Sequence, residues 1–449
     1  MSFPRYPKYK PSGEEWLGDV PEHWKVTPLK RAVDPRRSIT YGIVQAGPHI
    51  PDGVPYIRPA DMNEETGLVD PEGVLRTSRE IASAYRRSSL CTGDIICSIG
   101  PSFGKVMITP DFLHGANLTQ GTARIAVSSD RDCRYVFWVL RSRSSVAQWE
   151  SSVGGATFRA LNLGPLAETV LPSPPLPEQR AIAAFLDRET AKIDGLVAEQ
   201  RRLIELLKEK RQAVISHAVT KGLDPKAPMK PSGVEWLGDV PAHWVTRKLT
   251  LAFHTIGSGT TPRSDNLAYY EPGEIPWVNT GDLTDGELSS CERLVSRMAI
   301  DDYPSLRVYP AGSLLVAMYG ATTGKLGLLG FDATVNQACC AFVGNDLVRT
   351  RFLFYWLLGY RAQLLSLASG GGQPNISQEV LRGLRVATPT PTEQDRIIEH
   401  LLHACDGADA LIAEAQSAIA LLQERRSALI SAAVTGQIDV RNAVATEAA

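Results

Sequence analysis

The chain has 449 residues, of which 43% are hydrophobic and 21% charged, with a formal net charge of −2. That length exceeds what one hydrophobic core organises, so two or more domains are expected in a composition ordinary for a soluble globular protein. No apolar run approaches the roughly 20 residues of a membrane span, the N-terminal MSFPRYPKYKPSG lacks the apolar core of a signal peptide, and near-neutral charge excludes a polyanion-binding tail but not local basic patches. The expectation is a cytoplasmic protein with no membrane partner. Its seven cysteines are odd in number, include the neighbours Cys339 and Cys340, form no CxxC pair and read as reduced thiols.

The chain begins with a stretch that it repeats. Residues 10–24, KPSGEEWLGDVPEHW, return as residues 230–244, KPSGVEWLGDVPAHW, with 13 of 15 positions identical. Pro-Ser-Gly forms turns, and Trp16, Leu17, Val20 and Trp24 supply apolar surface around Gly18-Asp19, which predicts a packing strap rather than a ligand site.

After each strap comes a globular stretch, and the two copies share only landmarks. Pro55-Tyr56-Ile57-Arg58 and Asp61 answer Pro276-Trp277-Val278-Asn279 and Asp282. Gly93-Asp94-Ile95-Ile96 answers Gly312-Ser313-Leu314-Leu315, each a turn followed by a short buried strand. Gly104-Lys105, Gln120 and Gly154-Gly155 answer Gly324-Lys325, Gln337 and Gly371-Gly372, while Arg134-Tyr135-Val136-Phe137 and Arg351-Phe352-Leu353-Phe354 each open a helix. Short strand-like runs between one or two helices make each unit α+β, with a strand order that the pattern does not dictate. The loops Gly100-Pro-Ser-Phe-Gly104-Lys105 and Gly320-Ala-Thr-Thr-Gly324-Lys325 resemble phosphate loops, but have three residues between the glycines instead of four and Val or Leu after the lysine instead of Ser or Thr. Nucleotide hydrolysis is excluded on that ground, leaving either a plain hairpin or a turn that holds a DNA phosphate.

Each half closes with a long amphipathic stretch. Pro177 to Asp224 returns as Thr392 to Asp439 without a gap, Glu178 matching Glu393 and Leu207 matching Leu422, an offset of 215. Leu186, Ile193, Leu207 and Val214 recur at heptad phase, with Leu196, Val197, Leu203 and Ile204 on the alternate turn and Gln200 interrupting once. Ala408, Ala415 and Ala418 stand in the second copy where the first has larger or polar residues, so the two helices are expected to pack together. Roughly 40 residues at 1.5 Å each make a rod of about 60 Å.

Catalytic constellations are missing. His400, His403 and Cys405 have no counterparts in the first copy (Phe185, Arg188, Thr190) and read as a helix face, not a metal site. No HExxH, no Asn-Pro-Pro-aromatic run, no glycine-rich cofactor loop and no nucleophile elbow is present. The sequence reads as a binder whose frame is kept twice while its units diverge. Candidate DNA-contacting residues are the cations, amides and hydroxyls of the loops: Arg58, Ser102, Lys105, Asn117, Gln120, Arg124, Thr157, Arg159 and Asn162 in the first unit, and Asn279, Thr280, Thr322, Thr323, Lys325, Asn336, Gln337, Gln373 and Asn375 in the second.

Two straps, two divergent units and two long helices opened by Pro-Glu-Gln-Arg (177–180) and Thr-Glu-Gln-Asp-Arg (392–396) resemble, over essentially the whole chain, the specificity subunit of type I restriction–modification enzymes. The resemblance implies an α+β chain with two tandem target recognition domains separated by an antiparallel coiled coil of two long helices. Its parts would be a strap and first recognition domain (1–176), a first helix (177–224), a strap and second recognition domain (225–391), a second helix (392–440) and a disordered tail (441–449). It also implies a split double-stranded DNA target, one half per domain at a fixed spacing. The partners would be two modification subunits docked on the helices and restriction subunits. The chain itself would be non-catalytic and without cofactor or metal, S-adenosylmethionine, ATP and magnesium acting in the partners. Asp395 in place of Arg180, and Pro374-Asn375-Ile376 in place of Thr157-Phe158-Arg159, forbid copying contacts from one half to the other. The rival readings are a coiled-coil scaffold without DNA specificity and a stand-alone methyltransferase or nuclease.

Overall fold

The computed structural model describes all residues except 1–2, 64–66, 69, 71, 154–158, 370–373 and 444–449. The chain forms two compact units, one of residues 1–200 and 417–449, the other of residues 201–416. Each unit takes in part of both long helices, residues 176–200 and 417–434 in the first and 201–221 and 391–416 in the second. No helix among the described residues is long and apolar enough to cross a membrane.

The helices run Leu176–Lys221 and Pro391–Val434. Both stop short of the expected ends at 224 and 440, because Gly222 and Gly436 follow within two residues at φ +73° and +75°, left-handed C-terminal caps that a side chain resists. Within the first unit Asp194 pairs with Arg426 at 2.8 Å, while Ile182, Phe185 and Leu186 share a core with Ile430, Ala433 and Val434, so the two segments run antiparallel. Within the second, Arg211 pairs with Asp409 at 3.5 Å, and Ile215, Ala218 and Val219 share a core with Ile397, Leu401 and Cys405. Asp409 and Arg426 are the repeat mates of Asp194 and Arg211 (194 + 215 and 211 + 215), so one ion pair recurs with its partners exchanged. The expected apolar stripe is narrower than its residues: Ile193, Val197 and Ile204 are buried, but Leu196 and Leu203 are 53% and 42% exposed. Successive residues on a helix point about 100° apart, and at these two turns Val197 and Ile204 take the inward direction while Leu196 and Leu203 point away from it.

The two α+β units share one topology. In the first, an antiparallel sheet has the order Val106–Ile108, Ile95–Ser98, Thr122–Ile125, Thr40–Tyr41, beside a sheet of Asn117–Leu118, Val54–Ile57 and Arg76–Thr77 whose first pair is parallel. In the second, Leu326–Leu329, Leu314–Ala317, Cys339–Val343 and Thr255–Ser258 repeat the first order with Gly286–Leu288 added in parallel, and Thr334–Val335, Ile275–Val278 and Leu294–Val295 repeat the second. The buried strands after Gly93 and Gly312, and the helices Cys133–Leu140 and Thr350–Gly359, stand where the sequence placed them. Glycines set the close approaches: a Cβ at Gly42 would lie 2.0 Å from the Leu118 carbonyl oxygen, and one at Gly259 would lie 1.6 Å from that of Val335.

The strap is a hairpin locked to the start of a long helix. Tyr9–Pro11 pairs with Asp19–Pro21 across a turn in which Gly13 and Gly18 take positive φ, and Met229–Pro231 pairs with Asp239–Pro241 in the same way around Gly233 and Gly238. Trp24 and Trp244 are wholly buried, and their indole nitrogens donate to Glu178 (3.0 Å) and Glu393 (3.1 Å). Nε2 of His23 and of His243 lies 2.9 and 2.8 Å from the second oxygen of the same carboxylates, and in the first unit the Tyr6 hydroxyl adds a third donor at 2.5 Å. The neighbouring glutamines tie the helix to the globular part: Gln179 accepts from the Asp132 amide at 2.9 Å and donates to the Pro174 carbonyl, while Gln394 accepts from the Arg349 amide at 2.8 Å and donates to the Leu347 and Pro389 carbonyls. Glu-Gln at the head of each helix is thus a structural lock, which explains why the helix heads and the His-Trp of the straps repeat together.

Of the remaining expectations, residues 441–443 form a turn in which Arg441 pairs with Asp439, while 444–449 lie outside the described residues. All seven cysteines are free thiols. Cys405 is buried whereas His400 and His403 are exposed, and the described residues hold no cluster able to bind a metal ion.

Candidate nucleic-acid interface

In the first unit, strand Val54–Ile57 runs into the turn Pro59–Asp61, where the Asp61 carboxylate accepts the Arg58 amide at 2.8 Å and its guanidinium at 2.6 and 3.0 Å. That bond holds the Arg58 guanidinium above its ordinary pKa, against the opposing effect of burial. The Lys105 ammonium donates to the Pro59 and Met62 carbonyls at 3.2 and 2.9 Å, stapling the glycine-lysine loop to this turn. The Ile99 and Gly100 amides donate to Gly121, next to exposed Gln120, and the Leu161 amide donates to Ile99. Arg159 lies 5.7 Å over the Phe103 ring, beside exposed Ser102. Arg58, Ser102, Lys105, Gln120 and Arg159 are therefore brought together, and Asn162 precedes helix Leu163–Glu168 with its side chain exposed.

Two other candidates belong to the interior. Asn117 is buried, accepts from Ser88 and the Leu118 amide, and donates to the Ala82 and Tyr85 carbonyls. Arg124, also buried, donates to the carbonyls of Arg87, Ser89 and Ser38. Both side chains are anchored by the partners beside them, as a polar group taken out of water requires. Thr157 and Gln373 lie outside the described residues.

In the second unit the same loops carry amides and hydroxyls. Asn279 caps the turn Thr280–Asp282, its amide donating to Asp282 at 2.7 Å, and its side-chain oxygen accepts from Asn336 at 2.9 Å. Thr261 donates to Gln337 at 2.6 Å, and Thr323 donates to the Gly320 and Pro374 carbonyls, which draws Asn375 against the Thr322-Thr323 turn. Asn279, Thr280, Thr322, Thr323, Asn336, Gln337 and Asn375 form one cluster. Lys325 is exposed, unlike Lys105. Sequence reasoning missed Thr261, and with it the pair of arginine doublets at 36–37 and 86–87, which have no counterparts in the second unit and were legible as such.

Hydroxyls and amides grouped at loop ends, with cations beside them, match what base edges and phosphates require. The class defined is a chain with two copies of one α+β polar-loop unit on a duplicated helical frame. Residues 45–206 and 241–420 both match the family described as the type I restriction modification DNA specificity domain. The chain belongs to that family. It is 27% identical over 200 residues to the type I restriction enzyme EcoBI specificity subunit of Escherichia coli, covering 44% of this chain and 42% of that one. With the EcoKI specificity subunit of Escherichia coli strain K12 the identity is 22% over 457 residues, covering 94% of this chain and 90% of the relative. A chain solved in a study of complex assembly and conformational transition of the type I R–M system has the same fold, with a TM-score of 0.71 at 17% identity over 92% of this chain and 98% of that one.

Proposed function

We propose that this chain is the DNA sequence-recognition subunit of a type I restriction–modification complex, each α+β unit reading one half of a split target. The observation that carries the reading is the contrast between a duplicated lock and two unlike loop clusters on one topology: the frame does one task twice, and the units read different bases. The relatives are named as specificity subunits of type I restriction enzymes, and this chain spans under half the length of the first of them. Modification subunits would dock on the long helices, with restriction subunits completing the complex in the cytoplasm. The chain would be non-catalytic, with S-adenosylmethionine, ATP and magnesium serving the partner subunits.

The test is to co-express the chain with its modification subunits and map methylated adenines in host DNA. A split motif that vanishes on deletion of the chain is expected. Exchanging residues 25–170 for the first unit of another family member should change one half of that motif and leave the other; a change in both halves would sink the modular reading, and methylation indifferent to deletion would favour a scaffold.

A further inference from the structure

Beside the first unit's loops lies a concave pocket of about 540 Å³ lined by Arg36, Arg37, Arg86, Arg87, Arg124 and Tyr41. Its cations are unequal. Arg37 is neutralised by a two-pronged bond to Asp94, at 2.7 and 2.5 Å. Arg124 is only 4% exposed and holds three carbonyls from the two segments that carry the other arginines, yet its Nε has no partner and no carboxylate bonds to it. A buried cation without a counter-ion is costly, and burial and the nearby Arg37 press its guanidinium below its ordinary pKa. Arg36, Arg86 and Arg87 are exposed, and none forms an ion pair among the described residues. Five guanidinium groups thus line the pocket, and Asp94 and Asp34 are the carboxylates whose charges favour the Arg124 cation.

The pocket adjoins the candidate interface on two sides. Its rim includes Leu163, the residue after Asn162, and strand Thr40–Tyr41 leads into Ile43, whose carbonyl accepts the Gln120 amide at 2.9 Å. The second unit has no equivalent. Arg124 pairs in register with Ile96, and the residue in that place opposite Leu315 is Ala341; Ser313 replaces Asp94.

We propose that this pocket seats a phosphate group, supplied by the backbone of the duplex just outside the bases that the first unit reads. The assignment rests on the DNA-recognition reading above. Guanidinium forks match the oxygen pairs of a phosphate, and the anion supplies the missing counter-charge to Arg124. Because backbone phosphates carry no sequence information, the pocket sets affinity and register, not the recognised bases.

The test uses the full chain in complex with its modification subunits, comparing wild type with the triple variant Arg36→Ala, Arg86→Ala, Arg87→Ala, whose side chains are exposed and outside the core. Affinity for target duplex is measured against salt, the methylated motif is mapped, and inorganic phosphate is titrated calorimetrically. The expected result is a log–log salt slope shallower by about 0.9 for each phosphate that the variant no longer neutralises, with the motif unchanged. An unchanged slope together with phosphate binding that the variant abolishes would keep the phosphate site but overturn its assignment to the backbone. An unchanged slope with no phosphate binding overturns the proposal, as does an altered motif, which would make these arginines base readers. A wild-type complex that methylates no split motif would defeat the recognition reading, and the phosphate titration would then decide the pocket by itself.

Discussion

The first and second units hang on the same lock and fill it differently. Glu178 and Glu393 head equivalent helices and bind equivalent His-Trp pairs, but only Glu178 gains a third donor, from Tyr6. In the loops the divergence is chemical: the first unit builds with cations turned inward, Lys105 and Arg124 bonded to carbonyls, where the second has exposed Lys325 and the small Ala341. One strand order therefore tolerates different means of closing its loops, provided that backbone carbonyls and amides find partners.

The largest test of that comparison is at the locks. Glu178→Ala strands a buried hydroxyl and a buried indole N–H, at about 1–3 kcal/mol each, so a loss of about 4 kcal/mol is expected against about 2 kcal/mol for Glu393→Ala. Urea unfolding midpoints of the two variants measure it, and equal losses would show that the Tyr6 bond adds nothing. Asn117 and Thr334 occupy equivalent strand positions opposite Tyr56 and Trp277, but Asn117 is fully bonded while the Thr334 hydroxyl is buried without a partner. Asn117→Ala should cost about 2 kcal/mol, whereas Thr334→Val should leave stability equal or higher. A destabilised valine variant would mean that the threonine is satisfied after all.

The glycine-lysine loops separate stability from binding. Lys105→Met should lower stability by about 1 kcal/mol and leave the salt dependence of DNA affinity alone. Lys325→Met should leave the unfolding midpoint alone and make the salt slope shallower by about 0.9. The same response in both would erase the distinction between an inward and an outward lysine.

The smallest effect concerns Asp285, whose carboxylate is bonded by Arg361 and by the Leu326 amide. Burial opposes its ionisation, but Arg361 and that amide outweigh burial and hold the carboxyl below its ordinary value. A depressed folded pKa contributes stability that is present above the unfolded value of about 3.9 and is lost as pH falls through the folded one. Asp285→Asn, which tolerates the φ of +64° found there, should therefore cost about 1 kcal/mol at pH 7 and progressively less below about pH 4. Unfolding midpoints across pH measure the difference, and one that widens in acid would contradict the assignment.

The sequence by itself determined the duplication, the two long helices, the strands after Gly93 and Gly312 and the loops that carry the polar clusters. These depend on local periodicity, turn chemistry and a repeat that any alignment of the chain with itself displays. Tertiary structure alone decided which cations and amides are available. Arg124 and Arg159, or Lys105 and Lys325, are indistinguishable as residue types, yet one of each pair is bonded inside the fold and the other faces water. It also decided that Glu-Gln at the helix heads is a lock, since Trp24 meets Glu178 across 154 residues. A side chain's partner is set by which distant backbone groups the folded sheet leaves unsatisfied beside it, and no window of sequence contains both.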